Sequence, residues 1–257
     1  MINRVEIKRE ARELIRTGRV SPLVMTAIVL VISYVLSRVV NLVTYGTIFP
    51  EVYDLQYLQN VMSGMDFDAA LTITSESMEV RDTLASNFLS ILVGLFTAVL
   101  MGGYYYYLMG IRQRFEMSYD SLFDGLAVAG KLIWCELLMG IRIALWSMLF
   151  VIPGLIAAYR YRFAIYNIMA DDSLSAGEAI ALSCKQTNGM KMDLLVLDLS
   201  FLIWALVSAL TLNILDVWLK PYMVLSDLAY YEEAQRRLDR SPYGGSYTAS
   251  EDPWNNV

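Results

Sequence analysis

The chain has no histidine among its 257 residues. That removes Ser–His and Cys–His nucleophile pairs, imidazole metal sites and imidazole-based pH sensing from its chemistry. Cysteine is scarce as well. Cys135 and Cys184 are the whole complement, and they fall in different expected elements, so neither a disulfide framework nor a thiolate metal site follows from them. Charged residues make up only 18% of the chain, with a net charge of −6. There is no glycine-rich phosphate loop, nucleophile elbow or arranged pair of catalytic carboxylates. The N-terminus opens on a charged segment rather than a short basic region before a cleavable apolar stretch, so no signal peptide is expected. The reading is of a protein that is not an enzyme and carries no cofactor or metal.

Apolar sequence is what the chain has in abundance: 56% of residues are hydrophobic. They gather in runs of about 20, the length that crosses ~30 Å of hydrocarbon at a helical rise. The expected fold class is all-α, a polytopic membrane protein of about six transmembrane helices in three hairpins. The spans are placed at 23–45, 86–111, 132–152, 155–170, 194–212 and 214–231 within one membrane domain, 1–231. Residues 46–85 form an acidic loop, and the polar tail 232–257 is expected to be disordered. Short amphipathic segments at 3–19, 117–130 and 173–189 precede the three hairpins and read as interfacial helices. The turn of the second hairpin is placed at Pro153–Gly154, because proline disfavours helix at the residue before it.

Lysine and arginine set the orientation. Arg4, Lys8, Arg9, Arg12, Arg16 and Arg19 precede the first span, Arg112, Arg114 and Lys131 follow the second, Lys185 and Lys191 follow the fourth, and Arg236, Arg237 and Arg240 follow the last. With six spans all of these share one side, while the long loop has Arg81 as its basic residue. The expected localisation is therefore the plasma membrane, with both termini cytoplasmic. Anionic lipid explains the basic clusters without nucleic acid. Gly94, Ala98 and Gly102 form a small-residue ladder suited to helix packing. Tyr104 to Tyr107 read as an interfacial aromatic belt.

The candidate site is a set of charges inside the spans. Arg142, Arg160, Arg162 and Lys220 lie roughly 10–16 Å from the outer turns, with Glu136, Asp198 and Asp227 deeper, by helix arithmetic. A basic residue at mid-membrane costs on the order of 2.5–3.5 kcal/mol and demands compensation. Two readings stand. Arg142 or Arg162 pairs with Asp198 or Glu136 and fixes helix register, or the cations line a pocket for an anion or an anionic headgroup. Asp171 and Asp172 read as a capping or surface pair, too few oxygens for a hard metal.

The third and fourth spans echo the fifth and sixth: Trp146 and Trp204 each precede a turn, and Arg162 and Lys220 follow each tryptophan at equal spacing. The W-x6-P-G pattern at Trp146, Pro153 and Gly154 is joined by ADDSLSAGEAI (170–180), NGMK (188–191), LSFLIW (199–204), PYMVLSDLAYYE (221–232) and the N-terminal NRVEIKREAREL. With these the chain resembles the domain of unknown function 975 family of bacterial integral membrane proteins. The resemblance implies a multi-span helical fold and brings no established reaction. A looser likeness links that family to membrane domains attached to some glycerophosphodiester phosphodiesterases, which points to lipid. The expected function is binding or transport of membrane lipid, including anionic lipid, or of an anionic solute. The alternative is a structural or accessory subunit with no ligand of its own, assembled with another membrane protein or as a homo-oligomer.

Overall fold

The computed structural model describes residues 4–17, 21–45, 84–211 and 213–240. The expected acidic loop falls on residues outside these almost throughout, as does the tail beyond residue 240. Every regular element among the described residues is helical. In chain order they are α1 (Arg4–Thr17), α2 (Pro22–Tyr45), α3 (Leu84–Arg112), a 3-10 helix (Tyr119–Val128), α4 (Ala129–Leu149), α5 (Val151–Tyr161), α6 (Ala164–Ala170), α7 (Ala176–Gln186), α8 (Lys191–Leu210) and α9 (Asp216–Asp239).

The chain divides into two compact units, residues 30–97 and residues 1–29 with 98–257. The first holds the later part of α2 and the earlier part of α3. Its described side chains are largely apolar and exposed, among them Val31, Val35, Phe88 and Ile91. The Arg38 guanidinium lies 4.6 Å from the Tyr34 ring centroid there, covering its charge with an aromatic face.

The larger unit carries the core. Pro22 opens α2 at a position where its missing N–H is no loss, and the Ser21 carbonyl accepts the first helical bond, from Met25 N. Tyr104 and Tyr107 are fully buried, and the Tyr104 hydroxyl meets Thr26 Oγ1 at 2.8 Å. The tyrosine run is therefore core rather than an interfacial belt: a helix turns each successive residue by about 100°, so only Tyr106 is left on an exposed face. The small-residue ladder is also displaced. Gly94 faces open space and Gly102 meets only the end of Leu132, whereas a Cβ on Gly103 would drive into the backbone of Leu122.

The turn between α4 and α5 is the single extended residue Phe150, not Pro153–Gly154. Pro153 instead sits in the first turn of α5, where amide hydrogens lack helical partners and a proline costs nothing. Gly154 serves a different purpose from turn-making. A Cβ there would lie 2.9 Å from Ser147 Cα, so the absent side chain is what lets α5 pack against α4.

Four segments among the described residues are long and apolar enough to cross a membrane: Pro22–Val43, Phe88–Arg112, Tyr119–Leu149 and Lys191–Leu210. The expected spans 155–170 and 214–231 do not meet that description. The first is broken into α5 and α6, and the second lies in a helix that begins at Asp216, carries Lys220 and Asp227, and runs on to Asp239 past the boundary expected at 231.

The segment 173–189 forms a helix packed along one face into the protein. Ser175 caps α7 in a reciprocal box with Glu178, and Gly189 takes a φ of +75 beyond its end. Between those ends Ala176, Ala179, Ile180, Ser183 and Gln186 are buried. α7 packs against α4, α5, α6 and α9. α8 and α9 pair through Phe201 on Tyr222 and Trp204 on Trp218, with ring centroids 5.1 and 6.5 Å apart.

Candidate functional site

Arg162 stands at the break between α5 and α6. The break frees backbone groups that a continuous helix would pair with one another. Side chains of α7 take them up: Ser183 Oγ accepts from Phe163 N at 3.0 Å and donates to the Arg160 carbonyl at 2.8 Å, and Thr187 Oγ1 donates to the same carbonyl at 3.3 Å. One turn further, Asn167 and Gln186 exchange amide hydrogen bonds of 2.9 Å in both directions, and Asn167 also donates to the Ala179 carbonyl. The side chains of Asn167, Ser183, Gln186 and Thr187 are all buried, so α7 is locked to the broken helix by polar contacts.

The break aims Arg162 between α8 and α9. Its Nη1 and Nη2 donate to Asp198 at 2.6 and 2.9 Å, and its Nε donates to Asp227 at 2.8 Å. Two tyrosines complete the carboxylates: Tyr159 OH donates to Asp198 at 2.8 Å and Tyr166 OH to Asp227 at 3.0 Å. The Asp227 side chain is 8% exposed, against 24% for Arg162 and 32% for Asp198. The bidentate fork on Asp198 is the geometry for which arginine is suited and lysine is not. In this cluster the guanidinium is engaged by two carboxylates, although Arg162 and Asp198 remain partly exposed.

Of the expected site residues, the structure thus brings together Arg162 and Asp198. Glu136 is exposed on α4 and makes no ion pair among the described residues, beyond an electrostatic influence on Tyr105 and Cys135. Arg142 is likewise exposed on α4 and interacts with the Tyr161 hydroxyl. Arg160 is half-buried at the end of α5, with its carbonyl held by α7. Lys220 pairs along its own helix with Asp216 at 3.6 Å. Asp227 is among the deep charges of the sequence reading but not among the partners expected for Arg162, although it is the one charge within 221–231. Asp171 is an acceptor for the amide and hydroxyl of Ser173 at 2.9 and 2.6 Å; the hydroxyl and then the amide hold its carboxyl below the ordinary range. No group of three or more metal-ligating side chains occurs among the described residues.

A second charged assembly lies at the Arg112 end of α3, where the sequence had shown only a basic cluster. A cleft of about 490 Å³ opens there. Glu6, Arg9, Glu10 and Glu13 line it from α1, Arg112 and Arg114 from the end of α3, and Glu233 and Arg236 from α9. α1 is held in place by Arg4 on Asp193 at 2.8 Å and by Lys8, whose ammonium lies 4.4 Å from the Phe201 ring centroid. Burial, with Arg12 adding to it, holds that ammonium below its ordinary range.

Arg112 is the deepest charge of the cleft, its side chain 5% exposed. Nη2 meets Glu10 at 3.3 Å, and Nε lies 2.8 Å from Glu232. The Glu232 contact is Coulombic without the alignment of a hydrogen bond, and Nη1 is buried with no hydrogen-bond partner. An unpaired buried guanidinium hydrogen is costly.

α3 ends in a Schellman motif, with Arg114 N on the Ile111 carbonyl at 3.0 Å and Phe115 N on the Gly110 carbonyl at 2.9 Å. The left-handed residue of that motif is ordinarily glycine. Here it is Arg114, at φ 61. The backbone therefore carries a penalty of about 1–2 kcal/mol at a residue that lines the cleft.

No curated protein and no solved structure matches the chain. A family model matches residues 1–237, nearly the whole chain, and the protein belongs to that family, described as protein of unknown function (DUF975).

Proposed function

We propose that this is a multi-pass plasma-membrane protein, without catalytic activity, that binds a phosphate-bearing membrane lipid at the Arg112 cleft. The reading takes both termini as cytoplasmic. It adds the broken α5–α6 segment and α9 to the four apolar helices, giving six crossings in all. The observation that carries it is Arg112: a nearly buried guanidinium with Nη1 unpartnered, at the end of a helix long and apolar enough to cross a membrane. Arginine meets phosphate bidentately, and a helix of that length ends near the headgroup layer. The Arg162 cluster moves the expected anion site away from mid-span: its guanidinium is already occupied by Asp198 and Asp227.

Phospholipid extracted from purified protein and quantified by mass spectrometry tests this. Arg112→Gln, checked for unchanged helix content by circular dichroism, is expected to lose most of the lipid that the wild type retains. Equal phospholipid in both would overturn the lipid reading. It would leave the second one, a structural or accessory subunit without a ligand, assembled with another membrane protein or with a second copy. What favours that second reading is the Arg162 cluster, which ties three helical segments together through ion pairs.

A further inference from the structure

The charges of the cleft come in opposite pairs, and that bears on which lipid can enter. Four arginines and four glutamates line it. A headgroup bearing only negative charge would place its phosphate near Arg112 and Arg114 and, within the same cleft, near Glu10 and Glu233, with no compensation for the second contact. Like charges so placed repel across a poorly hydrated wall. A headgroup with phosphate and ammonium one short linker apart satisfies both sets. Arg112 lines the cleft, and its buried Nη1 lacks a hydrogen-bond partner, a donor that a small shift of the guanidinium turns to a phosphate. Glu10 meets Arg112 through Oε2, and Glu233 meets Arg237 through Oε1 at 3.2 Å and Arg236 more loosely through Oε2 at 3.9 Å; a carboxylate accepts about four hydrogen bonds, so each retains room for an ammonium. Ile7 and Ala229 add an apolar wall beside the charges for the glycerol end. At about 490 Å³ the cleft falls in the size range of small-ligand sites, roughly 300–1,000 Å³.

Resting on the proposed lipid binding at this cleft, we infer that its ligand is a zwitterionic headgroup of the phosphate-plus-primary-ammonium class. The left-handed Arg114 fits the same site. Glycine would relieve the backbone there, yet the position carries the cation that the phosphate end requires.

Full-length protein in detergent is mixed with phosphatidylethanolamine, phosphatidylglycerol, soluble phosphoethanolamine or inorganic phosphate, and binding is read by native mass spectrometry and by the shift in apparent Tm. Phosphatidylethanolamine is expected to bind about tenfold more tightly than phosphatidylglycerol, a difference of 1.4 kcal/mol. Soluble phosphoethanolamine is expected to bind weakly, because the apolar wall then has nothing to cover it. Arg114→Gly suits φ 61 and so keeps the fold, and it is expected to reduce phosphatidylethanolamine binding about tenfold. Glu233→Gln is expected to remove the preference between the two lipids. Equal binding of the two lipids by the wild type, or a preference for phosphatidylglycerol, would overturn the zwitterionic class while leaving lipid binding intact. Soluble phosphoethanolamine binding as tightly as the lipid would overturn the membrane source of the headgroup. Loss of all lipid binding would sink the underlying reading itself, and an unchanged Arg114→Gly would place the site elsewhere.

Discussion

Arg162 shows how charge balance decides the effect of a substitution. The cluster holds one cation and two carboxylates, so the consequence depends on which member goes. Arg162→Gln leaves Asp198 and Asp227 facing each other without a cation. It is expected to destabilise by ~2–4 kcal/mol, somewhat below the cost of breaking a fully buried pair because part of the cluster is exposed. Asp198→Asn leaves the neutral Arg162–Asp227 pair, and Asp198 is the more exposed of the two carboxylates at 32%. It is expected to cost less than Asp227→Asn, which strips the buried partner. Thermal unfolding in detergent ranks the three; Asp198→Asn as the most damaging would refute the pairing scheme. Gly154 offers a second test at this scale. Alanine there would press on Ser147 Cα from 2.9 Å, backbone against backbone, and is expected to cost about 1–3 kcal/mol as an overpacked contact. Alanine at Gly177, where a Cβ meets nothing within 4 Å, is the control and is expected to be neutral or stabilising.

Helix α7 owes its ends to sequence and its place to partners. The Ser175–Glu178 box closes its N-terminus, and Ser175→Ala is expected to cost about 1 kcal/mol. The hydroxyl of Ser175 and then its amide hold the Glu178 carboxyl below the usual carboxylate range. A depressed folded value means that the stabilisation is present above the unfolded value and fades as pH falls through the folded one. The cost of Ser175→Ala is therefore expected to shrink in acid, measurable as converging melting temperatures of wild type and variant below the ordinary glutamate range. The interior of α7 responds differently. Gln186→Leu leaves the Asn167 amide and carbonyl oxygen buried without their reciprocal partner, whereas replacing both with leucine removes the polar pair together. The double variant is expected to be more stable than the single one. The shared signature of these elements is a helix broken at Arg162–Phe163 whose freed backbone is satisfied from α7, a device that membrane proteins use where irregular backbone lies within protein.

At the scale of the whole molecule the testable property is sidedness. Ser118 and Val151 bracket the Tyr119–Leu149 span, and Val151 is 81% exposed. Single cysteines at these positions, in a background with Cys135 and Cys184 replaced, are expected to label differently with an impermeant thiol reagent. Val151→Cys is expected to react on intact cells, and Ser118→Cys only after permeabilisation. Arg237→Cys, beside the cleft residues of α9, is expected to behave like Ser118→Cys. Labelling of Arg237→Cys on intact cells would reverse the proposed orientation or remove a crossing from the six.

The sequence by itself determined the all-helical class, the four long apolar helices to within a few residues, a serine cap for α7, and the need of Arg162 for an acidic partner, with Asp198 and Glu136 both left open. These rest on local signals: apolar run length, a serine three residues before a glutamate, and an arginine that cannot stay alone in an apolar run. Only the tertiary structure decided that Pro153 starts a helix rather than making the turn, because proline suits both and the packing of Gly154 on Ser147 chooses. It also decided that the tyrosine run is core and that Lys220 turns to its own helix while Asp227 enters the cluster. The Arg112 cleft was beyond any local reading, since its walls come from residues 6–13, 112–114 and 229–236. Residues so far apart in the chain share no periodicity, and only folding sets their charges against one another.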